Sequence, residues 1–339
     1  MLSEFELIAA IRERLALAGA PRVVPGLIIG SGDDAAASDR AGATVVSVDA
    51  LVEGVHFRMP PFEPRDVGHK ALAVALSDLA AMAAEPREAY VQLGVPEDLP
   101  DEGVLEVADG VGALAGACGI AVAGGDVSRA AQLFLAVTVV GEAASADSLV
   151  RRAGARAGDL VAVTGELGGA AAALLTLERP ELVRALDPVV AERLRRRQLD
   201  PQPRLEAALA LQRTGARAMI DLSDGLGADA AHLAAASSVA VRIELEALPL
   251  QDGVREVAAA AGLDPVDLAA AGGEDYELLV ALPPEREEQA RAAVERLGLE
   301  LTVIGAADAG AGAELRSAEG VRPPAGFDQM RRRVRRSSE

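Results

Sequence analysis

The chain has 339 residues, half of them hydrophobic, which suits two buried cores better than one and excludes a disordered protein. Its 52 acidic against 33 basic residues give a formal charge of -19, opposite to that of a generic nucleic-acid or anionic-membrane binder. The single cysteine, Cys118, excludes a disulfide framework or thiolate metal site within one chain, and no apolar run is long enough to suggest a membrane span.

The opening residues, MLSEFELIAAIRERLALAG, put acids before the apolar positions and interrupt them with Arg12 and Arg14. That is not a signal-peptide pattern, so a cytoplasmic protein is expected. Ser3 and Glu6 have capping-box spacing, and Phe5, Ile8 and Ile11 share a face, which predicts a first helix ending near Gly19. A GSGDD turn comes next, then a β-rich run over 43–48. Asp66 is expected to cap a helix over 67–84, and a second helix is expected over 102–118. Strands are expected near 120–123 and 133–140.

The small, polar stretch 141–158 is expected to hold a domain boundary, dividing the chain into 1–148 and 149–339. Beyond it, strands are predicted at 160–163, 218–220, 239–245, 277–282 and 301–304. Helices are predicted at 168–177, 189–198, 204–213 and 226–236. The basic tail RRRVRRSSE reads as a solvated end rather than a binding arm.

Aspartates recur at or just past the ends of apolar runs: Asp33 and Asp34 in GSGDD, Asp49 in TVVSVD, Asp78 in ALAVALSD, Asp126 in GIAVAGGD, and Asp221 and Asp224 in AMIDLSD. So many carboxylates on rigid supports suggest hard oxygen ligands for cations. Asp78 is the sharpest case, because its helix is apolar on nearly every face. A buried carboxylate needs a partner, and either an arginine or a cation satisfies that need. The other aspartates also fit ordinary turns. Ser223, between a strand and a helix, reads either as a plain N-cap or as part of an anion site with free N–H groups. His69 and His232 are expected to be structural.

Lys70 is the only lysine, so phosphate charge would have to be met by metal, arginine and backbone N–H groups. The chain carries neither a P-loop nor the protein-kinase motif set. Acidic clusters with glycine-rich turns, and no cysteine or paired-histidine motif, point to a Mg²⁺-dependent nucleotide or phosphate enzyme.

Taken together, EFELI, GSGDDAA, VDALVEGVHF, KALAVALSDLAAM, AGGD, RAGARAGD, IDLSDGL, GGEDYEL and the late GFD resemble the thiamine-monophosphate kinase family, in the family's order over nearly the whole chain. The resemblance implies a two-domain α/β (α+β) fold of the aminoimidazole ribonucleotide synthetase type. Its N-terminal domain would bind ATP and Mg²⁺ and form a homodimer, and its C-terminal domain would complete the cleft. The implied reaction is phosphorylation of thiamine monophosphate by ATP to thiamine diphosphate and ADP, the last step of thiamine diphosphate synthesis. Transfer would be direct and in line, with several Mg²⁺ ions and no covalent or general-base residue.

By position, the resemblance makes Asp34, Ser47, Val48 (through its carbonyl), Asp49, Asp78, Asp126, Asp221 and Asp224 metal ligands. It assigns Gly125, Asp126, Arg152 and Ser223 to ATP, and His56, Glu274 and Phe327 to the thiamine moiety. Val48, Ala75, Val127 and Asp200 depart from the usual pattern. A selenophosphate synthetase would carry an N-terminal cysteine, and none precedes Cys118. A non-catalytic relative would have lost the aspartates.

Overall fold

A computed structural model describes residues 4–22, 24–29, 37–38 and 42–327. Ser3, Asp33, Asp34 and the basic tail lie outside the described residues. Helix α1 (Glu4–Leu17) and the short strands β1 (Leu27–Ile29) and β2 (Ala37–Ser38) come first. They lead into β3 (Ala43–Val52), α2 (Pro64–Ala81), β4 (Glu85–Val95), α3 (Asp101–Cys118), β5 (Ala121–Arg129) and β6 (Phe134–Ala143). The second half runs β7 (Leu160–Thr164), α4 (Gly169–Glu178), α5 (Pro188–Leu199), α6 (Leu205–Thr214), β8 (Ala218–Asp221), α7 (Leu226–Ser237) and β9 (Ala240–Glu244). It ends with α8 (Val254–Ala261), α9 (Pro265–Ala271), β10 (Leu278–Leu282), α10 (Glu287–Glu295), β11 (Leu301–Asp308), β12 (Gly312–Ser317) and β13 (Gly320–Arg322). No described helix is long and apolar enough to cross a membrane.

Two larger sheets organise the chain. The first has the order β3-β6-β4-β5, antiparallel except for the β4–β5 pair. The second has the order β13-β12-β9-β11-β7-β10-β8. The alternation of side chains along a strand gives the first sheet two distinct faces. Val45, Leu51, Leu135, Val137 and Val139 are buried in the core with residues of α2 and α3. Val46 and Val48 point the other way and are 56% and 65% exposed. They pair in register with Val140 and Thr138 of β6, and Thr138 pairs with Tyr90 of β4.

Helix α2 passes between the sheets. Pro64 opens it, and Glu63 and Asp66 close a reciprocal capping box, with Asp66 accepting from the Glu63 N–H at 3.0 Å. Asp66 therefore stands inside the first turn, and Glu63, not Asp66, is the cap. The helix also begins and ends earlier than the expected 67–84. Its apolar positions are buried all round, as its sequence requires. Two glycines let it touch α3 closely: a Cβ at Gly68 would sit 2.0 Å from the Val107 carbonyl oxygen, and one at Gly110 2.0 Å from that of Arg65. The expected elements of the second half are all present, with ends shifted by a few residues.

Two aspartates sit differently from expectation. Asp49 does not end its strand, because β3 continues to Val52. Asp126 is not placed after a turn but lies within β5, where its position pairs with Gln92. Both strands are lengthened by ladder partners that short-range patterning does not reveal.

Candidate active site

The site is assembled on α2. Ser47 and Asp49 share the helix-facing side of β3 with Val45 and Leu51. The Ser47 hydroxyl donates to Asp78 Oδ2. One residue earlier on the helix, the Ser77 hydroxyl donates to Asp221 Oδ2 at 2.7 Å. Asp221 closes β8, an edge strand of the second sheet. Adjacent residues of one buried helix are thus tied to both sheets. The side chain that answers Asp78 is a serine rather than an arginine.

The segment after β8 is folded around Asp229. Its Oδ2 accepts from the N–H groups of Ser223, Asp224 and Gly225 at 3.1, 3.2 and 3.1 Å. Gly225, not Ser223, is the cap of α7. The N–H groups expected to be free for an anion are therefore already engaged by the protein. Burial first, then Asp221 and Asp224, push the Asp229 carboxyl up to about 8.

The GGEDYEL segment packs against this loop. Glu274 N–H donates to the Ser223 carbonyl at 2.9 Å, and Tyr276 N–H donates to that of Leu222 at 2.9 Å. A Cβ at Gly273 would meet the Ser223 oxygen at 2.4 Å, so this approach requires glycine. Glu274 and Tyr276 take φ values of +68° and +49°, which side-chain-bearing residues rarely adopt. The neighbouring acids, Asp275 and Glu277, anchor the backbone in this conformation. Asp275 accepts from the Gly168 and Ala170 N–H groups at the start of α4, at 2.7 and 3.2 Å. Glu277 meets Arg197, Arg204 and Thr164. Phe327 N–H donates to the Asp224 carbonyl at 2.8 Å, which ties this 44% exposed residue to the same loop.

The carboxylates feel one another. Burial and then Asp78 push Asp221 up to about 6. Burial also raises Asp49, with Asp78 and Asp224 adding to it and the Ala50 N–H opposing. Clustered acids of this kind call for positive charge. Among the described residues no three His, Cys, Asp or Glu side chains enclose a metal ion by themselves. Mg²⁺ commonly uses one or two carboxylates and completes its shell with water and substrate phosphate. Hydroxyl-supported carboxylates on separate elements fit that habit. Because burial and Asp78 raise Asp221 to about 6, protons compete with a cation for this carboxylate at a higher pH than they do for an ordinary aspartate. The affinity for Mg²⁺ is therefore expected to fall about tenfold per pH unit below pH 6. Thermal-shift titrations at pH 5, 6 and 7.5 check this, and equal affinities would remove Asp221 from the ligand set.

Residues 32–143 match the family described as AIR synthase related protein, N-terminal domain, and residues 156–317 match its C-terminal domain. A thiamine-monophosphate kinase of Mycobacterium tuberculosis is 39% identical over 257 residues, 75% of this chain and 74% of that protein. The chain belongs to the thiamine-monophosphate kinase family. A crystal structure of thiamine-monophosphate kinase from Stenotrophomonas maltophilia K279a superposes with a TM-score of 0.81 at 38% identity, covering 93% of this chain and 96% of that one. A structure described as AaThiL complexed with AMPPCP and TMP gives 0.73 at 32% identity, covering 96% of each chain.

For a family member, the expected site residues fall into groups. Ser47, Asp49, Asp78, Asp221 and Asp224 stand together, and Glu274, Ser223 and Phe327 adjoin them through the contacts above. His56 lies just past β3, where its Nδ1 accepts from the Val52 N–H at 3.0 Å, and it acts on Asp49 electrostatically. Arg152 is exposed and lies near enough to Asp221 to oppose its upward shift. Val48 directs its side chain to the open face of the sheet. Gly125 and Asp126 occupy the opposite edge strand, three strand spacings or about 14 Å from β3. There Asp126 accepts from Gln92 at 3.0 Å. Sequence reasoning missed Ser77, Asp229, Lys70 and Gln198. The one local signal was an acid in the first turn of α7, which is where Asp229 lies.

Proposed function

We propose that this protein transfers the γ-phosphoryl group of ATP to thiamine monophosphate, releasing ADP and thiamine diphosphate in the cytoplasm as the last step of that cofactor's synthesis. The observation that carries the reading is the joining of Asp78, Asp221 and the GGEDYEL loop around one helix. ATP is assigned to Gly125, Asp126, Arg152 and Ser223, and the thiamine moiety to His56, Glu274 and Phe327. Asp34, Ser47, Val48, Asp49, Asp78, Asp126, Asp221 and Asp224 would hold several Mg²⁺ ions. Bound Mg²⁺ supplies charge neutralisation between the two anionic substrates.

The protein's own task is to bring the acceptor and donor together and keep them aligned. A phosphate monoester is already largely ionised near neutral pH, so no side chain has to take a proton from the attacking oxygen. Phe327 offers a ring face to the heterocycle. Residues 1–148 would bind ATP and Mg²⁺ and form the dimer, and 149–339 would complete the substrate cleft. Purified protein with ATP, Mg²⁺ and thiamine monophosphate is expected to yield thiamine diphosphate. Turnover of another phosphate acceptor and not of this one would sink the proposal.

A homodimer belongs to the same proposal. The face carrying Val46, Val48, Val140, Thr138 and Tyr90 is turned away from the helices, and its two exposed valines share it with Glu88, which accepts from the Tyr90 hydroxyl at 2.8 Å. Burying such a face in a second copy gains hydrophobic free energy. Val46→Glu is expected to convert a dimer to a monomer in light-scattering chromatography. A variant of unchanged mass would place the interface elsewhere.

A further inference from the structure

Lys70 is the only lysine in the chain, and its side chain is 0% exposed. Its Nζ lies 2.9 Å from Glu274 Oε1 and 5.3 Å from the centre of the Phe62 ring. Nζ meets no acceptor in hydrogen-bond alignment among the described residues, so the contact with Glu274 is an ion pair only. Glu274 Oε2 accepts from Gln198 Nε2 at 2.6 Å, and Gln198 is 1% exposed. Both carboxylate oxygens are thus held from buried positions, one from α2 and one from α5. The Glu274 side chain itself remains 25% exposed. A buried ammonium is costly, and a lysine serving only solubility would lie outside. Held at both oxygens, and on a backbone at φ +68°, Glu274 has a fixed aim.

Building on the proposed function, we infer that Lys70 is a positioning residue for the acceptor subsite: with Gln198 it fixes the direction in which Glu274 meets the heterocyclic part of thiamine monophosphate. Lys70 does not touch the substrate, since none of its surface is open. Its effect reaches the acceptor through Glu274 and leaves the nucleotide side alone. Phe62 completes the seat by placing an aromatic face near the ammonium.

The test is steady-state kinetics on the full-length protein with Lys70→Met, which keeps the length of the side chain and removes its charge. The KM for thiamine monophosphate is expected to rise about tenfold, the worth of one well-placed charged contact, while the KM for ATP stays within about twofold. Lys70→Arg should recover part of the loss. Acceptor KM within about twofold of the parent overturns the inference. So does an equal rise in both KM values with a lower melting temperature, the mark of a merely structural pair. Should Lys70→Met fail to fold, Gln198→Met releases the other oxygen, and an unchanged acceptor KM there is equally decisive against it. A parent protein without activity on thiamine monophosphate would instead bring down the functional reading beneath it, an outcome distinct from all of these.

Discussion

Asp78→Asn is expected to lower kcat by at least about a hundredfold while the protein still folds, the size of effect seen when one electrostatic support of a transition state is lost. Asparagine keeps the shape and one oxygen, so the Ser47 hydroxyl retains an acceptor. The charge is lost, and with it the ligand proposed for Mg²⁺. The fold should not suffer, because Asp78 is the neighbouring charge that raises both Asp49 and Asp221. Removing it relieves repulsion, so the Mg²⁺-free variant should melt at or above the parent's temperature. The rise in melting temperature on adding Mg²⁺ should shrink in the same variant. Turnover and calorimetry together check both expectations, and near-parent kcat would make Asp78 a structural residue.

Glu277→Ala should produce the largest loss of stability, about 3–5 kcal/mol at pH 7. Glu277 is 0% exposed. It accepts from Arg197 Nη2 at 2.5 Å, from Arg204 Nε and Nη2 at 2.8 and 2.6 Å, and from the Thr164 hydroxyl at 2.7 Å. Alanine would leave two largely buried guanidinium groups without their anion. Burial pushes the Glu277 carboxyl up, but Arg197 and Arg204 outweigh it and hold the group below its ordinary 4.5. A depressed folded value means that the stabilisation is complete above pH 4.5 and is lost as pH falls through the folded value. The difference between parent and variant in urea unfolding should therefore be full at pH 7 and shrink in strong acid. A constant difference would mean that the loss is one of packing rather than charge.

The fold was largely legible because its helices and strands carry clear periodicities and the stretch between the two halves lacks them. The boundaries that moved did so for physical reasons. Glu63 took the cap expected of Asp66 because the reciprocal box needs both acids. β3 and β5 ran on because neighbouring strands satisfied their backbone groups. The aspartates of the site were legible as carboxylates on firm supports, and most of them do converge. Their supports were not legible: Ser77 looks like any small residue in an apolar helix, and Asp229 like any acid near a helix start. Lys70 was legible only as the single lysine of the chain. Its partner lies 204 residues away in sequence, and only the folded chain shows Glu274 meeting it inside.

The passage of α2 between the two sheets gives the protein a molecular ruler. Lys70 and Asp78 are eight residues apart on one rigid rod, about 12 Å along its axis and little more than two turns. On the proposed function, that rod would fix how far the acceptor-recognition end of the site lies from its phosphoryl-transfer end. A point substitution alters one end at a time. A single inserted or deleted residue between them would rotate one end by about 100° and shift it by about 1.5 Å relative to the other. On the same proposal, an acceptor of different length would call for a change of whole turns or movement of the loops at either end, and the helix would set the gauge of the substrate.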